Sequence, residues 1–80
     1  MDAKEWIIDW FKAHSSENED VIIQSLKENY MEMGLIDSFG FVQMLSDIDD
    51  EFDVMFVNED FLNPEFQNIE GLAKMINERK

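Results

Sequence analysis

The chain has 80 residues, no cysteine, and 19 Asp and Glu against 6 Lys and Arg, for a formal charge of −13. That length predicts one domain over residues 1–80, close to the smallest size at which a single core suffices, and a 45% hydrophobic fraction argues against disorder. The charge excludes binding to nucleic-acid phosphates and to anionic membrane surfaces, and the lack of Cys excludes disulfides, a thiolate nucleophile and a Cys-based metal site.

Taken in order, the first element is a helix by period. Trp6, Ile7, Trp10, Phe11 and His14 fall at helical spacing, with Lys4, Glu5, Asp9 and Lys12 on the other side. Asp2 suits its N-cap. The polar run Ser15-Ser16-Glu17-Asn18-Glu19-Asp20 predicts its end. Val21, Ile22, Ile23 and Leu26 then resume the apolar signal, as a short helix or a packed loop. Residues 28–34 lack a sustained period, and Gly34 permits a turn that other residues resist.

A second long helix follows. Phe41, Leu45, Ile48 and Phe52 are spaced i, i+4, i+7, i+11, Val42 widens the stripe, and Asp37 or Ser38 supplies the N-cap. Asp47, Asp49, Asp50 and Glu51 crowd its last turns, where the helix dipole disfavours acids, a local conflict of the kind that marks function. Residues 53–57 form an extended connector. Asn58-Glu59-Asp60 gives the cap and first turn of a short helix through Phe61-Leu62, which Asn63-Pro64 interrupts. Asn68 caps a last helix whose apolar face is Ile69, Leu72, Ala73 and Ile76, with Arg79 and Lys80 at its C-terminal dipole. Gly71 inside it costs ~1 kcal/mol relative to alanine. The expected fold is therefore all-α: a small bundle of three main helices plus one short helix, with a long connection between the first two main ones.

Little catalytic chemistry is on offer. His14 is the only histidine, and nothing in the spacing brings it to a serine. There is no Gly-rich phosphate loop. The acids from Asp47 to Asp53 suggest a calcium loop, but counting from Asp47 puts Phe52 sixth and Asn58 twelfth. Counting from Asp49 puts Val54 sixth and Asp60 twelfth, so neither register supplies the required Gly and Glu. Adventitious divalent binding at this helix end stays open; a dedicated metal site is not expected. The chain is not expected to be an enzyme. Met1-Asp2-Ala3-Lys4-Glu5 has no basic n-region followed by an apolar stretch, and no apolar run approaches a membrane span. A soluble, cytoplasmic protein is expected.

One constellation stands out. Gly34-Leu35-Ile36-Asp37-Ser38-Phe39-Gly40 puts a serine at the start of an amphipathic helix. Two readings remain open. Ser38 is simply an N-cap, or its hydroxyl carries a phosphate that the free N–H groups and positive dipole end of the helix stabilise.

Asp37-Ser38-Phe39 resembles the phosphopantetheine attachment motif of acyl carrier proteins, and the likeness extends along the flanks. Asn29-Tyr30 and Met33-Gly34-Leu35 resemble the segment preceding the family's serine. Phe41-Val42, Leu45, Ile48, Asp49-Asp50-Glu51 and Phe52-Asp53 resemble its second helix, with no gap from the serine. The resemblance covers most of residues 6–76 and implies a carrier. A phosphopantetheinyl transferase would move 4'-phosphopantetheine from coenzyme A to Ser38 using Mg²⁺, with Asp37 and Phe39 flanking the attachment. The arm's thiol would hold acyl intermediates as thioesters, in fatty-acid, polyketide or a related lipid pathway. Gln43, Asp47, Asp49, Asp50 and Glu51 would meet basic patches on loading and transferring enzymes. Met33, Met44, Met55 and Met75 would line an acyl cavity or serve as ordinary core. Gly40 and Gln43 stand where fatty-acid carriers usually have acids, and Ile36 is an extra residue, so the chain is also similar to D-alanyl, aminoacyl and peptidyl carriers. From another class, an acidic helical adaptor or inhibitor of a basic partner would share this composition. A monomer is expected. No basic residue lies between Lys27 and Lys74, a stretch holding twelve of the 19 acids, so the charge concentrates on one face around Ser38.

Overall fold

The computed structural model describes residues 2–15 and 17–79; Met1, Ser16 of the predicted helix stop and Lys80 of the last helix lie outside them. Helix α1 spans Ala3–His14, with the Asp2 carboxylate accepting the Lys4 N–H as N-cap. Its buried side is Ala3, Ile7, Trp10 and Phe11; of the predicted stripe, Trp6 is half-buried and His14, in the last turn, is exposed. Helix α2, Glu19–Gln24, resolves the ambiguity over residues 21–26. Asn18 caps it by accepting the Val21 N–H at 3.0 Å, so it starts in the acidic run rather than at the apolar one. Helix α3 runs Ser38–Phe52, α4 Asn58–Phe61 and α5 Ile69–Arg79, with a 3-10 turn at Pro64–Gln67. No strand occurs among the described residues. The molecule is the expected small all-α bundle, with the extra short helix α2 inside the long first connection.

The core gathers Ile7, Phe11, Ile22, Met44, Ile48, Leu72 and Ile76 from α1, α2, α3 and α5. The long connection between α2 and α3 is anchored through Tyr30. Its ring is buried, its N–H donates to the Gln67 carbonyl at 3.1 Å, and its hydroxyl donates to the Phe66 carbonyl. Burial pushes the phenol well above its ordinary pKa. Leu35 and Ile36 are also buried, so the chain enters α3 along a packed wall.

Three local expectations change. Val42 does not widen the buried stripe: it is 66% exposed, because Phe41, Met44, Leu45 and Ile48 fill the inward side of α3 and nothing packs outside them. The cap of α4 is Val57 rather than Asn58, and the helix ends at Phe61, before Leu62. With no polar atom on the Val57 side chain, the start of α4 is held from inside, by the Asp60 carboxylate accepting the Val57 N–H at 2.8 Å. Met44 and Met75 are buried, but Met33 and Met55 are 46% and 73% exposed, so only the first pair belongs to the interior.

Asp60 also takes both guanidinium arms of Arg79, whose cation lies 5.2 Å over the Phe56 ring. This pair ties α4 to the last turn of α5. The Arg79 hydrogen bonds, then that of the Val57 N–H, bring the carboxyl down to about 2, outweighing its desolvation. A folded pKa below the unfolded value means the pair's stabilisation is complete above the unfolded carboxylate pKa. It is lost as pH falls through about 2. Asp60→Asn should therefore lower stability at neutral pH and converge with the wild type in acid. Urea midpoints of both proteins between pH 6 and pH 2 check this, and a constant difference across the range would count against it.

Candidate functional site

Asp37, not Ser38, is the N-cap of α3. Its backbone is extended, and its Oδ1 accepts the Gly40 N–H at 2.7 Å while its carbonyl accepts the Phe41 N–H at 2.8 Å. Ser38 is the first residue of the helix and is exposed, so its hydroxyl is not used in capping. The N–H groups of Ser38 and Phe39 point out of the first turn, where the helix has no carbonyl for them. Phe39 follows, 89% exposed, and with Val42 forms an apolar step on the outer face of α3.

The two glycines of the motif meet different backbone needs. Gly34 has φ +75°, a left-handed turn that an L side chain resists. A Cβ on Gly40 would sit 3.0 Å from the Ile36 Cγ1 and 3.2 Å from the Asp37 Oδ1. Gly40 thus lets Ile36 pack beneath the first turn and lets Asp37 close over it.

The acids divide into bound and free. Asp47 is engaged inside the chain: its Oδ2 accepts the Trp10 Nε1–H at 2.7 Å and its Oδ1 accepts the Gln43 amide at 2.8 Å. Asp47 therefore braces α3 against α1, while Gln43, on the same helix, holds its other oxygen. Asp49 is half-buried, whereas Asp50 and Glu51 are exposed. The Trp10–Asp47 bond was not anticipated, although a signal existed: a buried indole needs an acceptor for its one N–H. Asp53 ends α3 in the left-handed conformation, φ 57°, its N–H donating to the Asp49 carbonyl at 2.8 Å. Among the described residues no three His, Asp or Glu side chains converge as a metal-binding group, and none of the helices is long and apolar enough to cross a membrane.

Two clefts flank the start of α3. One, of about 380 Å³, lies between the end of α1 and the entry to α3, with Asp37 and Gly40 on its wall. The other, of about 280 Å³, is aromatic, with Tyr30, Phe41, Phe61 and Phe66 meeting there and the Asn29 and Gln67 amides at its edge. His14 belongs to the first. Its ring stacks on Trp10 at 4.0 Å, and its Nδ1 bonds the Trp10 carbonyl at 2.8 Å. No family model, curated protein or solved structure matches the chain.

Proposed function

We propose that the chain is a carrier protein that holds a cargo on 4'-phosphopantetheine attached to Ser38. The observation that supports this most is the division of labour at the start of α3: Asp37 caps, and the adjacent Ser38 hydroxyl stands exposed at a helix N-terminus. A phosphate there gains from the free N–H groups and the dipole. The site fits the group in that the serine is neither buried nor tied to the backbone. In the transfer, Ser38 Oγ bonds to the pantetheine-side phosphorus of coenzyme A. The pyrophosphate P–O bond breaks, the adenine nucleotide leaves, and the hydroxyl proton passes to a base of the transferase. The arm supplies the thiol that the chain lacks, for a thioester-bound cargo.

The rest of the surface suits such a role. Exposed Asp50 and Glu51, with the apolar step of Phe39 and Val42 on the same helix, offer a basic enzyme both charge and a small hydrophobic contact. We take the protein to act as a cytoplasmic monomer that carries acyl groups and visits several enzymes. A second cargo class, an amino acid loaded by an adenylating ligase, is favoured by one observation. Beside the serine, Gly40 is uncharged and Gln43 is turned onto Asp47, which thins the negative charge there.

The test is direct. Purified chain incubated with coenzyme A, Mg²⁺ and a broad-specificity transferase should gain one phosphopantetheine mass, and Ser38→Ala should gain none. An adduct that survives that substitution would rule out Ser38 as the attachment site. No adduct at all, together with a stable stoichiometric complex with a basic protein, would favour the adaptor alternative.

A further inference from the structure

The cleft of about 380 Å³ beside α3 is within the size range of ligand pockets. Trp10, His14 and Ser15 form one wall, from the end of α1; Ile36, Asp37 and Gly40 form the other. Asp37 and Gly40 bracket Ser38 in the chain, so the attachment residue directly follows one residue of this wall.

Its far wall is fixed. The Trp10 indole is held by its bond to Asp47, and the His14 ring lies on it with only 12° between the planes. The Trp10 carbonyl can only accept, so His14 Nδ1 carries the proton of that 2.8 Å bond. In the neutral ring Nε2 is then an acceptor. Ser15 Oγ already accepts the Glu17 N–H at 3.1 Å and still has its own proton to donate. The cleft thus combines flat ring faces with the His14 acceptor, the Ser15 donor and the Asp37 carboxylate. A pantetheine arm has matching chemistry: two secondary amides, each a donor and an acceptor, joined by short apolar carbon segments. The aromatic cleft across α3 presents mainly ring surfaces from Tyr30, Phe41, Phe61 and Phe66 and suits an amide-rich arm less well.

We propose that the arm carried on Ser38 folds back into the cleft between the Trp10–His14 stack and the Asp37–Gly40 turn, so that the chain holds its own prosthetic arm against α1. This rests on the carrier reading. It adds a binding site on a different helix from the attachment point, one in which His14 accepts an amide N–H of the arm.

The experiment compares amide and indole spectra of the ¹⁵N-labelled protein before and after loading, with intact mass read on the same samples. The expected result is a full mass gain with shifts at the Trp10 indole and His14, both remote in sequence from Ser38, and at Gly34 on the same cleft. In His14→Ala, once mass shows it to be loaded, the shifts at the Trp10 indole and Gly34 should be lost. A full mass gain with changes confined to residues next to Ser38, or centred on Phe61 and Phe66, would overturn the inference and leave the carrier reading standing. An absent mass gain would overturn both.

Discussion

Gly71→Ala is expected to destabilise the protein by about 3 kcal/mol, although the same change in an ordinary helix interior stabilises it by ~1 kcal/mol. The reason is a backbone approach. A Cβ on Gly71 would lie 2.1 Å from the Glu65 carbonyl oxygen and 2.7 Å from the Glu65 Cα. The obstacle is main chain in the 3-10 turn, not the end of a flexible side chain, so it cannot rotate away. The turn is also held on several sides. Tyr30 bonds the Phe66 and Gln67 carbonyls, Lys74 pairs with Glu65 at 3.2 Å, and the Asn68 side chain accepts the Gly71 N–H at 2.6 Å. Relief would have to come from α5 moving off the turn, which would open the core at Ile69 and Leu72. For a domain with a total stability of roughly 5–10 kcal/mol, a loss of this size is large. Urea unfolding should show a lower midpoint with an unchanged slope. A midpoint equal to or above that of the wild type would mean that helix propensity, not the close approach, governs this position.

Gly71 also illustrates what the sequence cannot express. Its expected cost is a local propensity, whereas its role depends on Asn63-Pro64 folding residue 65 back against residue 71. The three long helices were legible because their apolar residues recur at a fixed period, and that period survives in the buried faces of α1, α3 and α5. The width of a stripe is less legible. Val42 lies one position from Phe41, and only the absence of a packing neighbour puts it outside. Long-range polar pairs carry no period at all. Nothing in the sequence pairs Asp60 with Arg79 or Trp10 with Asp47, since each pairing follows from how helices cross. At the candidate site, the location of Ser38 at the start of a helix was legible from Asp37-Ser38 and the stripe that follows. The choice of cap was not, because both residue types cap well and only the extended backbone of Asp37 decides it.

The second large effect concerns the acids at the end of α3. Neutralising the two exposed ones, Asp50→Asn with Glu51→Gln, should raise stability and impair loading of Ser38 at the same time. Stability rises because the α3 C-terminus carries the negative end of the dipole and no basic residue in its last turn; removing acids there relieves ~0.5 kcal/mol. Loading slows because a chain at −13 meets a basic enzyme face by charge steering. Losing two exposed charges should cut the rate of association about tenfold at low salt, with the gap closing as salt is added. Asp47→Ala provides the contrast. Its carboxylate is committed to Trp10 and Gln43, so its removal leaves the indole N–H without its acceptor and costs about 1–3 kcal/mol of stability. Its effect on loading should be smaller and less salt-dependent than that of the double variant. Loading rates by intact mass across a salt series, beside thermal unfolding of the same proteins, separate the two kinds of acid. If the double variant gains stability yet loads as fast as the wild type at low salt, the acids at the end of α3 are not the docking charges, and their unfavourable position requires another cause. If it loads slowly while folding better, the electrostatic conflict at the end of α3 is the structural cost of a surface kept for binding.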